Sequence, residues 1–184
     1  MKNVFLFISI LAVSISTNAQ DRYITRSAKV HFFSKTDIEN IEAVNTKGTC
    51  VVDFKTGQIE VAVLMKAFEF EKELMMEHFN ENYVESDKFP KSTFKGTIAD
   101  IGSVDFGKNG NYPVKIKGQL TLHGITKDVL ADGSFEVKEG KLSGKSSFII
   151  TLADYKIVVP SVVKDNISKT IKIDISAAFE KMSL

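Results

Sequence analysis

The chain has 184 residues, 24 basic against 23 acidic side chains and 43% apolar residues, enough for one domain with a sizeable core. Charge this balanced lacks the excess that draws nucleic acid or anionic lipid non-specifically. Its one cysteine, Cys50, has no partner for an intramolecular bridge, so stability must come from packing.

Residues 1–19 have the layout of a secretory signal. Lys2 supplies a positive start, the apolar run from Val4 to Ile15 is too short to span a bilayer, and Thr17 and Ala19 place small residues before a cut. The expectation is a periplasmic or secreted product, residues 20–184 forming a single domain, with no stable membrane insertion because no later stretch reaches spanning length. No cysteine follows the apolar run to carry a lipoprotein anchor.

From Asp21 onward the apolar pattern has period two, the signature of half-buried strands. Ala28, Val30 and Phe32 alternate with Lys29 and His31. In "TCVVDF" Cys50 shares a face with Val52 and Phe54, which makes it a buried thiol rather than a reactive one. Ile59, Val61, Val63 and Met65 form the next row.

The period then breaks. Over Glu69 to Asn82 the pairs Phe70/Leu74 and Met75/Phe79 fall at i,i+4 spacing, and glutamates gather near the start, so the spacing predicts a short amphipathic helix. Its apolar stripe needs cover, which places it over one end of the sheet structure.

Alternation resumes with Phe94 and Ile98, Gly96 lying between them, then with Val114, Ile116, Leu120 and Leu122. Further rows are Val129, Ala131, Phe135 and Val137; Leu142, Phe148 and Ile150; and Ile171 to Phe179. Short Gly-, Asn- and charge-rich links at Lys55–Gln58, Gly107–Asn111 and Lys138–Lys141 predict antiparallel neighbours. About eight strands result, and closing such a meander into an up-and-down barrel removes its edges. The apolar stretch Ile157 to Val163, around Pro160, reads either as a strand end and corner packed on the core or as an apolar lip at which a lipid is admitted.

Catalytic signatures are missing: no G-x-S-x-G, H-E-x-x-H, C-x-x-C or glycine-rich phosphate loop occurs. His31, His78 and His123 lie far apart, which predicts surface or hydrogen-bonding histidines and no metal site. No cofactor is expected.

Two segments carry a resemblance, "HFNENYVESDKFPKSTFKG" from His78 to Gly96 and "VKIKGQLTLHGITKDV" from Val114 to Val129. In the first, Phe79, Tyr83, Phe89, Pro90, Phe94 and Gly96 carry the pattern; in the second, Gly118, Leu120, Thr121, His123, Gly124, Thr126 and Lys127 do. With these motifs the chain resembles the YceI-like family. The resemblance implies an all-β, extended lipocalin-like barrel of eight antiparallel strands that binds a long isoprenoid or other fatty chain in its lumen without catalysis.

Together the rows and the resemblance give candidate ligand-binding residues. Val30, Phe32, Met65, Phe94, Leu120, Leu122, Phe135 and Phe148 are expected to face the lumen. Leu74, Met75, Phe79, Tyr83 and Phe89 are expected around the helix end. Any barrel needs inward apolar residues to fold, so a stress-related interaction module with a side-chain-filled barrel stands beside the lipid-carrier reading. The lipid's identity and a homodimer are left open.

Overall fold

Alternating residues of the kind just described form eight long strands in a computed structural model that describes residues 22–182. They are β1 (Arg22–Lys35), β2 (Asn40–Asp53), β3 (Gln58–Leu64), β5 (Lys91–Ile98), β6 (Gly110–Leu122), β7 (Ile125–Lys138), β8 (Lys141–Thr151) and β9 (Thr170–Lys181). A two-residue strand, β4 (Glu69–Phe70), and a short helix, α1 (Glu73–His78), interrupt the series. The expected signal segment lies outside the described residues.

Every pairing is antiparallel, and each long strand pairs with its neighbours in the series. The order β1-β9-β8-β7-β6-β5-β3-β2 is closed by β1 against β2, giving an eight-stranded up-and-down barrel. Closure leaves the long strands without an unpaired flank along most of their length, which protects them from edge-to-edge association.

Connections sort to two ends. One end, the base, carries the β2–β3, β5–β6 and β7–β8 links. Tyr23, Phe54, Phe106 and Phe135 fill it, with ring centroids 4.8 to 5.3 Å apart in successive contacts. The other end, the mouth, carries the β1–β2 loop, α1, the β6–β7 hairpin and the long segment between β8 and β9.

The helix differs from expectation at its start. Glu69 and Phe70 are held as β4 by Val44 and Ala43 of β2, taking the place beside β2 that β3 leaves when it ends at Leu64. Helical geometry therefore begins at Glu73 and continues past His78 as a single π-helical turn, Phe79–Tyr83. Backbone pairing with a closed sheet outweighs the weak propensity of a stretch this short.

The β7–β8 ladder runs only from Lys138↔Lys141 to Asp132↔Ser147. Toward the mouth the two strands part, and Ile125–Ala131 of β7 pairs with β6 alone. A 3₁₀ turn at Leu152–Tyr155 packs against β7 and β8 there, with Tyr155 and Ile157 buried.

Candidate functional site

Inward side chains of all eight long strands surround a cavity of about 330 Å³ that runs along the barrel. On β9 the wall takes Ile171, Ile173, Ile175, Ala177 and Phe179 in alternation, eight residue steps that correspond to roughly 27 Å. The cavity is thus long and narrow. At the mouth the exposed His78 is part of its lining, so the cavity opens there, while rings close the base.

Three serines of the wall are hydrogen-bonded to the backbone. Ser92 Oγ donates to the Thr121 carbonyl at 3.0 Å, Ser146 Oγ donates to the Asp132 carbonyl at 3.0 Å, and Ser34 Oγ accepts from the Ser168 N–H at 2.9 Å. Burial pushes the Cys50 thiol up to about 12, so it remains an uncharged, apolar part of the wall. Free polarity collects at the rim, where Asn166 Nδ2 donates to Glu39 Oε2 at 3.0 Å. A guest would meet mostly methyl, methylene and aromatic carbon along the barrel, with a few polar residues such as Thr93, Ser134 and Ser146 among them.

Eleven of the residues expected around the lumen stand in the cavity wall: Val30, Phe32, Met65, Met75, Phe79, Tyr83, Phe94, Leu120, Leu122, Phe135 and Phe148. Leu74 and Phe89 do not. Because the helix starts four residues late, Leu74 falls on its outer side and is 60% exposed, leaving Phe79 to pack on Phe70 at 5.1 Å. Phe89 turns away from the lumen and meets the His123 ring edge-on at 4.9 Å. Phe68, which the sequence reading passed over, and Phe70, read there as part of the helical stripe, make a four-ring cluster with Phe32 and Phe79 in the wall at the mouth. Phe68 follows a 3₁₀ turn, where neither the strand period nor the helical one applies.

Width in the middle of the barrel depends on a glycine pair. Gly96 of β5 and Gly118 of β6 are opposite each other in the ladder, and the ring of Phe94 lies over both. A Cβ at Gly118 would come within 2.4 Å of the Lys95 carbonyl oxygen and 2.6 Å of the Phe94 ring. The absence of side chains lets the ring lie along the wall instead of across the lumen.

The two sequence motifs meet at the β6–β7 hairpin. His123 and Gly124 have φ of 51° and 71°, the left-handed pair a two-residue turn of this hand requires. A Cβ on Gly124 would strike the Phe89 ring at 2.5 Å, so glycine is needed here for space as well. His123 Nδ1 lies 2.9 Å from the Tyr155 carbonyl, which can only accept, and Nε2 lies 2.6 Å from Glu85 Oε2. Nδ1 therefore carries a hydrogen, and Nε2 is the nitrogen paired with the carboxylate. That hydrogen bond from His123 holds the Glu85 carboxyl below its ordinary value against a smaller opposing effect of desolvation, with Lys88 helping. One imidazole thus ties the stretch after α1, the hairpin and the β8–β9 segment together at the mouth. His31 makes a surface contact, 2.9 Å from Glu42, and among the described residues no His, Cys, Asp and Glu cluster could hold a metal ion.

Residues 9–179 match the YceI-like domain. The chain belongs to the YceI-like family. Solved structures agree on the fold. A polyisoprenoid binding domain from Saccharophagus degradans implicated in plant cell wall breakdown superposes with a TM-score of 0.75 at 11% identity, covering 89% of this chain and 99% of that one. Burkholderia cenocepacia BcnA gives 0.63 at 14% identity, covering 83% and 96%. A mutant YCEI protein from Campylobacter jejuni gives 0.52 at 17% identity, covering 98% and 94%. A search of curated proteins finds no significant match. In YceI-like terms, the first motif supplies Phe79, Tyr83 and Phe94 to the cavity wall, and the second supplies Leu120 and the hairpin clamp.

Proposed function

We propose that this YceI-like protein carries or sequesters a long isoprenoid or fatty chain, with the tail in the barrel and the polar head at the rim. The observation that carries this reading is the long, mainly apolar lumen, open at the mouth, in which the Ser92 and Ser146 hydroxyls are already bonded to backbone. The polyisoprenoid binding of the Saccharophagus degradans domain supports it. A side-chain-filled barrel would have no such space.

Transfer of apolar surface from water is worth about 0.8 kcal/mol per methylene, which for a chain of tens of carbons would nominally exceed any practical affinity. Water is the wrong reference, however. A lipid comes from a membrane or micelle where its tail is already shielded, so the lumen need only match a bilayer for exchange to be reversible.

The reading includes export after removal of residues 1–19, action in the periplasm or outside the cell, and no catalysis. Against catalysis stand the wall's chemistry and composition: the hydroxyls of Ser34, Ser92 and Ser146 are engaged, and its thiol stays protonated at neutral pH. Native mass spectrometry of protein purified from its own host tests the proposal. Adducts that organic solvent extracts as lipid are the expected result; a homogeneous unliganded mass with nothing extractable overturns it.

A further inference from the structure

The stretch between β8 and β9 has two faces. Ile157, Val163 and Ile167 belong to the cavity wall, while Val158 and Val162 stand 76% and 88% exposed. Beside them the ladder between β7 and β8 has ended, and continuing its register would set the exposed Leu130 opposite the exposed Ile149. Among the described residues, every large exposed apolar side chain except Phe106 lies in the mouth half of the barrel.

Charge around these side chains is not uniform. From Tyr155 to Lys164 the chain has two lysines and no acid; the lysines bracket the apolar tips, and Asp154 and Asp165 stand just outside them. α1 and its approach, with five glutamates between Glu69 and Glu81, root on β2, which is almost opposite β7 in the ring of strands. The mouth therefore has an aliphatic side, whose lysines stand nearest the apolar tips, and an acidic side.

We infer that the Ile157–Val163 lip docks on an anionic bilayer surface, the place from which the cargo is taken or to which it is returned. The inference rests on the carrier function proposed above. Valines entering the acyl boundary, with Lys156 and Lys164 held at the headgroups, match an interface in which apolar tips sink and long cations remain at the surface. A protein partner fits less well, since the exposed tips include no Tyr, Trp or Arg of the kind that anchors such contacts. Repulsion of the glutamates tilts the barrel so that the β7–β8 side meets the membrane first.

Flotation with phosphatidylcholine vesicles, with and without phosphatidylglycerol, tests the docking. Uptake of oleic acid and of a polyprenol from detergent micelles tests cargo binding separately. The wild-type protein is expected to float with the anionic vesicles. V158D/V162D should lower the bound fraction by more than about tenfold, and K156E/K164E should lower it on anionic vesicles only. Both variants should load from micelles as wild type does, which also shows that they fold. Leu74→Asp, on the acidic side, should float normally. Micelle loading without flotation in wild type, lip variants that float unchanged, or equal loss in Leu74→Asp each overturns the inference. So does a change from dimer to monomer in V158D/V162D without any vesicle binding by wild type, which would make the lip a contact between copies. Failure of the wild type to load from micelles counts instead against the carrier function.

Discussion

Gly118 shows how much a single atom controls in this lumen. Its missing Cβ would sit 2.4 Å from the Lys95 carbonyl and 2.5 Å from the Gly96 Cα, both backbone, so alanine there has no flexible neighbour to displace. β5 and β6 must spread, or the Phe94 ring must swing into the lumen. Either response strains a packed wall, and Gly118→Ala is expected to cost about 1–3 kcal/mol in chemical denaturation and to lower the lipid recovered per protein. Gly102→Ala is the matched control: nothing lies within 4 Å of its added carbon, so it should change stability by no more than about 0.5 kcal/mol. Comparable losses from both would remove the glycine pair from the account of lumen width.

The elements at the mouth are joined by the hydrogen bonds of His123, and that junction has a pH signature. Glu85 is held below its ordinary carboxylate value by the bond from His123. On acidification the unfolded chain takes up the proton first, so folding stability falls as pH drops through the ordinary value toward the lower folded one. The stabilisation is fully present above the ordinary value. In Glu85→Gln that part of the acid loss should disappear, and a plot of Tm against pH should be flatter below pH about 4.5. Parallel curves for the two proteins would show that the bond does not contribute.

At this scale the sequence was legible where one period governed. Eight rows of alternating residues became eight long strands, because inward and outward positions of a closed barrel repeat every two residues. The start of the helix was not legible. Glu69 and Phe70 satisfy a helical spacing, yet β2 offers them a ladder, and nothing local announces partners 25 and 27 residues upstream. Leu74 was misplaced for that reason. In the Ile157–Val163 stretch Ile157 is packed in the core, as one of the two readings has it, while Val158 stands in solvent. Position 89 misled because an aromatic between two lumen residues reads as lumen, whereas Phe89 serves the hairpin, a contact made across 34 residues.

For the molecule as a whole, the lumen and the stability are one problem. Barrel closure gives each wall residue cover on its flanks, but the space along the axis has apolar carbon facing it and no protein atom to fill it. Such a lining forgoes contacts that a solid core would make. A guest supplies them, and because an unfolded chain has no lumen, binding is linked to folding. At a free ligand concentration one hundred times Kd the gain is about 2.7 kcal/mol, which for a domain of this size corresponds to roughly 5–10 °C in Tm. Protein stripped with organic solvent and refolded should therefore melt lower than the protein as purified, and a long-chain lipid presented in micelles should restore the difference, whereas a short-chain analogue that reaches only part of the lumen should restore less. Dependence on chain length separates a guest lying along the barrel from one adhering to the mouth. Only a guest along the barrel gains contacts with every added methylene until the ring-filled base is reached.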